Sequence, residues 1–193
     1  MLQDHPNTTI LTCSRAGAAE MNELVFQAKY PISKEPLTEL RGDLEANPAN
    51  YDRGKLKAVK DLKPYPVRIY KGMRLYLTRN VRKEIDFVNG MLATVERYDP
   101  RTRGLTVVTA TNRRVIVWPW TDSELGHKTY YPVRPGYAST VLKFQGAELE
   151  HVTAYLDVPG VPGAAYTAAS RIKKGSDILF GGKLTAEHFK PVR

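Results

Sequence analysis

The chain has 193 residues, 42% hydrophobic and 25% charged, enough for one ordinary core with a small inserted unit. Twenty-nine Lys and Arg against 20 Asp and Glu give a net charge of +9 and a pI near 9.6, a balance that favours polyanions, nucleic acid first among them. One cysteine excludes an internal disulfide, four scattered histidines give no zinc spacing, and no apolar run or leader pattern points to a membrane, so the expectation is a soluble, intracellular protein, nucleus or cytoplasm unresolved.

In chain order, residues 8–13 are β-branched and apolar and predict a buried strand. Ser14 is placed to cap the helix that follows, and Met21, Leu24, Val25 and Ala28 recur at helical spacing, which predicts their stripe facing a core. From 31 to 66 the prolines Pro31, Pro36, Pro48, Pro64 and Pro66 break the periodicity; with Lys55, Lys57 and Lys60 this reads as a solvated connector. A strand-rich stretch follows. Met73, Leu75 and Leu77 alternate with Arg74, Tyr76 and Thr78, Asn89-Gly90 marks a turn, and 92–98, 105–110 and 114–118 predict three further strands. Several short strands within so few residues predict a small barrel, closed by Trp118-Pro119-Trp120. An α/β pattern then resumes: a helix over 137–145 ending at Gly146, an apolar strand over 152–158, a helix over 164–173 stopped by Gly175, and a strand over 177–180.

Two segments carry chemistry. Tyr137-Ala138-Ser139-Thr140-Val141-Leu142-Lys143-Phe144-Gln145-Gly146-Ala147-Glu148 sets a hydroxyl and an ammonium suited to phosphate beside a glycine that admits close backbone approach to a ligand. Ala165-Tyr166-Thr167-Ala168-Ala169-Ser170-Arg171 ends in a guanidinium, which stays charged and grips phosphate oxygens through a fork of donors. In this order, separated by an apolar strand, they resemble motifs V and VI of superfamily 1 DNA helicases of the Pif/RecD branch. Lys71-Gly72-Met73-Arg74-Leu75-Tyr76-Leu77-Thr78-Arg79-Asn80, with Val88-Asn89-Gly90-Met91-Leu92-Ala93-Thr94-Val95, is similar to the segment that opens the inserted barrel of that branch. Residues 10–15 with Asn22 look like its motif IV strand and helix. Three features depart from the pattern: Leu142 stands where many members have His, Ala93 replaces a turn glycine, and 31–66 has no counterpart.

The resemblance implies an α/β fold: a RecA-like second motor domain of P-loop NTPase type, built from 1–66 and 127–193, with a small Src-homology-3-type β-barrel inserted at 67–126. It implies that Arg171 is the catalytic arginine finger, that Arg15, Gly146, Glu148 and Arg171 meet ATP, and that Thr140, Lys143, Gln145 and Asn89 meet single-stranded DNA. ATP and Mg²⁺ would be held only jointly with a first RecA-like motor domain, upstream or in trans, because the phosphate loop Gly-x-x-x-x-Gly-Lys-Ser/Thr and an Asp-Glu strand end do not occur in this sequence. Gly54-Lys55 and Gly182-Lys183 lack the rest of the loop, and Asp157 ends an apolar strand without a neighbouring acid. The expectation is the C-terminal part of an ATP-dependent DNA helicase, inactive alone. The alternative is a non-enzymatic single-strand-binding module or truncated helicase relic. A hydrolase with its own apparatus has no support: Asp122, Glu124 and His127 read as polar residues of the loop leaving the barrel.

Overall fold

The computed structural model describes residues 5, 8–43, 48, 67–144 and 148–190. Lys55, Lys57, Lys60, Gln145 and Gly146 therefore lie outside the described residues. The elements run β1 (Thr9–Thr12), α1 (Arg15–Lys29), β2 (Thr38–Leu40), β3 (Val67–Ile69), β4 (Arg74–Leu77), β5 (Leu92–Asp99), β6 (Gly104–Thr109) and β7 (Arg114–Val117). They continue β8 (Trp120–Asp122), β9 (Lys128–Tyr130), β10 (Val133–Pro135), β11 (Ala138–Thr140), β12 (Val152–Leu156), α2 (Ala164–Ala169) and β13 (Ile178–Gly182). The chain divides into two units, Met1–Lys29 with Tyr137–Arg193, and Tyr30–Gly136.

The first unit is a parallel sheet ordered β11-β1-β12-β13. β1 is buried at all four positions, as a strand covered on both faces requires. On one side Leu11, Val152, Ala154 and Leu156 form a cluster with Ala164, Ala165 and Ala168, whose small side chains let α2 lie close to the strands. α1 packs along β1 and β11. Its buried positions are Gly17, Ala18, Asn22 and Val25, whereas Leu24 is 50% exposed and Ala28 is exposed. The stripe predicted from Met21, Leu24, Val25 and Ala28 is thus rotated, because an asparagine takes an inward position.

That asparagine explains a second difference. Residues 137–144 do not form the α-helix predicted over 137–145: 138–140 are a strand, and Val141–Phe144 are a 3-10 turn. Ala138, Ser139 and Thr140 pair with Ile10, Leu11 and Thr12. Asn22 Oδ1 accepts from the amides of Tyr137 (2.9 Å) and Ala138 (3.0 Å), and its Nδ2 donates to the carbonyls of Ala138 (2.9 Å) and Ala18 (2.8 Å). The side chain so satisfies backbone groups at the edge of the sheet that would otherwise be buried unpaired. α2 also ends earlier than the periodicity predicts, with Ser170 as its cap, and Gly175 instead opens a 3-10 turn.

The second unit is antiparallel, with order β10-β4-β5-β6-β7 and two separate pairs, β2-β3 and β8-β9. Leu75, Leu77, Ala93, Val95, Leu105, Val107, Val115, Val117 and Val133 are buried, one alternate set per strand. Gly90 closes the turn before β5 with φ +91°, which Asn89-Gly90 anticipates. β5 is irregular between Val95 and Arg97, where its register shifts. Part of the stretch read as a connector is ordered: β2 pairs with β3 through Thr38↔Ile69 and Leu40↔Val67. Asp122 is no loose loop residue either. It is buried, pairs with Arg79, accepts from Tyr130 Oη at 3.2 Å and caps Ser123–Leu125 through the amide of Glu124. Arg79 also lies over the Trp120 ring, 4.7 Å from its centroid, so this network fastens β8 and β9 to the end of β4.

Candidate functional site

In a parallel sheet the strand ends define two edges, and the sequence-predicted residues of the first unit distribute between them. Arg171 follows α2, precedes β13 and lies by the start of β12, at the amino edge. Its Nε donates to the Thr167 carbonyl and to Ser170 Oγ, both at 3.2 Å, Nη2 donates to Ser170 Oγ at 2.7 Å, and Nη1 donates to the Phe144 carbonyl at 3.2 Å. The Leu149 amide in turn donates to the Arg171 carbonyl at 2.7 Å. Arg171 is thus bonded to residues on either side of positions 145–147. Glu148 is exposed on this edge and pairs with Lys173, Oε1 to Nζ 2.7 Å, which raises the Lys173 ammonium above its ordinary value. A pair this exposed is screened by solvent and adds little, so a ligand can displace it cheaply.

Thr140 and Arg15 stand at the opposite, carboxyl edge, since Thr140 pairs with Thr12 at the ends of β11 and β1, and Arg15 begins α1 three residues later. Lys143 is exposed on the turn after β11, and Leu142 beside it is 73% exposed. The structure therefore brings Arg171 and Glu148 to one edge and Thr140 and Arg15 to the other, with Val141–Phe144 leading from the second toward the first. Asn89 lies in the antiparallel unit, where its amide donates to Asn80 Oδ1 at 2.8 Å.

The sequence reading missed Asp157 as part of the carboxyl edge. Its Oδ1 accepts from the amides of Cys13 (2.7 Å) and Ser14 (3.2 Å), and its Oδ2 from the Ser14 hydroxyl. Ser14 Oγ accepts from the Gly17 amide at 2.9 Å, so the first turn of α1 is capped by serine and carboxylate together. Burial pushes the Asp157 carboxyl up, but the bonds from Ser14 and Cys13 outweigh it and hold the group below the usual carboxylate range. Burial pushes the neighbouring Cys13 thiol up, so it is no activated nucleophile. The available signal was Asp at the end of an apolar strand in a chain that also offers Ser-x-x-Gly at a helix start.

Among the described residues no group of His, Cys, Asp and Glu is disposed to hold a metal ion, and no helix is long and apolar enough to cross a membrane. No protein-family model matches the chain, and no curated protein matches it. Solved structures do. Pif1 helicase from Bacteroides in complex with ADP-AlF3 and ssDNA superposes with a TM-score of 0.69 at 16% identity, over 96% of this chain and 42% of that one. Pif1 helicase from Candida albicans gives a TM-score of 0.66 at 16% identity, over 100% of this chain and 48% of that one. A Pif1 helicase from a study of forked dsDNA unwinding gives 0.66 at 19%, over 96% and 41%. The chain thus has the α/β fold of part of a Pif1-type helicase, and spans less than half the length of these proteins.

Proposed function

We propose that this chain is the second motor half of a superfamily 1 DNA helicase of the Pif/RecD type, working on ATP only together with a first RecA-like domain. The antiparallel unit is then the inserted Src-homology-3-type barrel. The observation that carries the reading is the bonding of Arg171 to residues on either side of positions 145–147, the Phe144 carbonyl and the Leu149 amide. A finger that reaches for a γ-phosphate must be rigidly held and must share its edge with the groups that meet the rest of the nucleotide. Arg171, Glu148 and Gly146 would supply that edge. Thr140 and Lys143, with Gln145 and with Asn89 on the other unit, would contact phosphates of a single strand. Arg15, at the carboxyl edge, is better placed to join Thr140 on the strand than to meet a nucleotide beside Arg171.

ATP binding closes the cleft between two motor domains in this scheme, and hydrolysis reopens it. The Val141–Phe144 turn joins the two edges, so motion at the nucleotide would pass to the strand contact. The supporting likeness is one of fold to helicases whose solved forms hold ADP-AlF3 and ssDNA; Mg²⁺ would enter with the nucleotide and the partner domain.

The experiment is reconstitution. The chain alone should hydrolyse no ATP above background, and addition of a matching first motor domain with oligo(dT) should produce turnover. Arg171→Ala should then reduce that turnover by roughly 10³- to 10⁵-fold while leaving strand binding intact. Robust hydrolysis by the isolated chain, or reconstituted turnover indifferent to Arg171→Ala, would refute the proposal. If DNA binding occurs but never responds to ATP in the presence of the partner domain, the non-enzymatic module is the correct reading.

A further inference from the structure

The excess of positive charge is not shared between the two units. Residues 30–136 hold 20 Lys and Arg against 12 Asp and Glu, while the parallel-sheet unit holds nine against eight. The long-range attraction for a polyanion therefore resides almost wholly in the antiparallel unit.

One face of its sheet has the chemistry to use that attraction. Strand pairing sets Arg97, Thr106 and Ile116 in one row across β5, β6 and β7, and Thr94, Val108 and Arg114 in the next. Along β7 the burial alternates, with Val115 and Val117 inward and Arg114 and Ile116 outward, and Trp118 continues the outward set. Trp118 is 52% exposed and Ile116 39%, beside the exposed Arg97. Gly104 makes room for both apolar side chains: a Cβ there would stand 3.0 Å from Ile116 Cγ2 and 3.3 Å from Trp118 Nε1. The indole thus rests against bare backbone at the start of β6 while half of its surface is open to solvent. Arg114 is held by Glu96 through three N–O contacts of 3.0–3.1 Å, which fixes a guanidinium at the border of the patch. A supported aromatic surface flanked by arginines on a positively charged unit is what a single strand requires, because bases stack on the ring while the guanidinium meets the phosphates.

We infer that Trp118, Ile116 and Arg97 form a second contact surface for single-stranded DNA, on the antiparallel unit and separate from Thr140 and Lys143. This rests on the strand-binding reading above and adds the place where a base is gripped.

The test uses the full chain and a fluorescein-labelled oligo(dT) of about 16 nucleotides, followed by anisotropy across a salt series. Trp118→Ala should weaken binding roughly 5- to 150-fold, and Trp118→Phe should recover most of the loss. Arg97→Ala should flatten the dependence of log K on log salt by about 0.7. The chain has two tryptophans. In Trp120→Phe, oligo(dT) should still quench the emission, and in Trp118→Phe the quench should vanish, a readout that holds even if Trp118→Ala fails to fold. Affinity and salt slope unchanged in the Trp118 and Arg97 variants, with quenching independent of Trp118, overturn the inference. Loss of binding in Thr140→Ala and Lys143→Ala alone would then leave the strand reading standing without it. A wild-type chain that ignores oligo(dT) at every salt overturns both.

Discussion

A hydrogen is the only side chain that the Asp157 carboxylate tolerates at position 17. A Cβ there would overlap its Oδ2 and Cγ. Two effects compete in Gly17→Ala. Alanine gains about 1 kcal/mol of helix propensity, while displacing a carboxylate anchored by three donors costs about 1–3 kcal/mol for overpacking and about 1 kcal/mol for the lost cap. The second should win, and urea unfolding should show a lower midpoint; a more stable Gly17→Ala would mean that Asp157 is free to move aside. The same carboxyl sets a pH dependence. Its folded pKa lies below its unfolded one, so its contribution is complete above about pH 3.9 and is lost as pH falls through the folded value. Asp157→Asn should be less stable at neutral pH and lose less further stability between pH 5 and 3, as measured by urea midpoints. Little of this was visible in the sequence, where Gly17 and Asp157 stand far apart and neither matches a motif. Arg171 was singled out by a resemblance, but its tie to Phe144 and Leu149 depends on a chain path that spacing does not encode.

At the scale of elements, strands marked by alternation or by a β-branched apolar run were legible, and β11 was not. β4, β5, β6 and β7 announce themselves by alternation, and Asn89-Gly90 sets their first turn. β11 carries no alternation: Ala138 and Ser139 are both buried, in a parallel sheet. A run of nine residues without a breaker then reads as a helix, and the deciding information lies in β1 and in the Asn22 amide. Asn22 bonds to Tyr137, Ala138 and Ala18, so its removal strands several buried backbone groups at once. Asn22→Ala should cost about 3 kcal/mol in chemical denaturation, more than the usual surface-helix change, and should raise hydrogen exchange at the amides of Tyr137 and Ala138. Protection unchanged at those two amides would show that water replaces the side chain. Asn22→Asp keeps the acceptor for both amides but sets a carboxylate oxygen against the carbonyls of Ala138 and Ala18, and should cost at least as much as Asn22→Ala.

Across the whole molecule, composition indicated a polyanion partner but not where its charges lie; only the division at residues 30 and 136 shows that one unit holds nearly all of the surplus. The α/β class was legible in outline from the apolar strands at either end of the chain, whereas the order β11-β1-β12-β13 was not, since pairing between residues 10 and 138 leaves no local trace. That pairing has a further consequence. The Lys29 ammonium sits 5.9 Å from the centroid of the Tyr137 ring, so the chain leaves the parallel unit and rejoins it at the same spot. A segment whose two chain ends leave and rejoin a unit at neighbouring points can be exchanged as a cassette. Replacing 31–135 with a short Gly-Ser bridge should leave a cooperatively melting remnant, and grafting a different small domain at that point should be tolerated as readily. A remnant that fails to melt cooperatively would show that the cassette is a structural prop rather than a passenger.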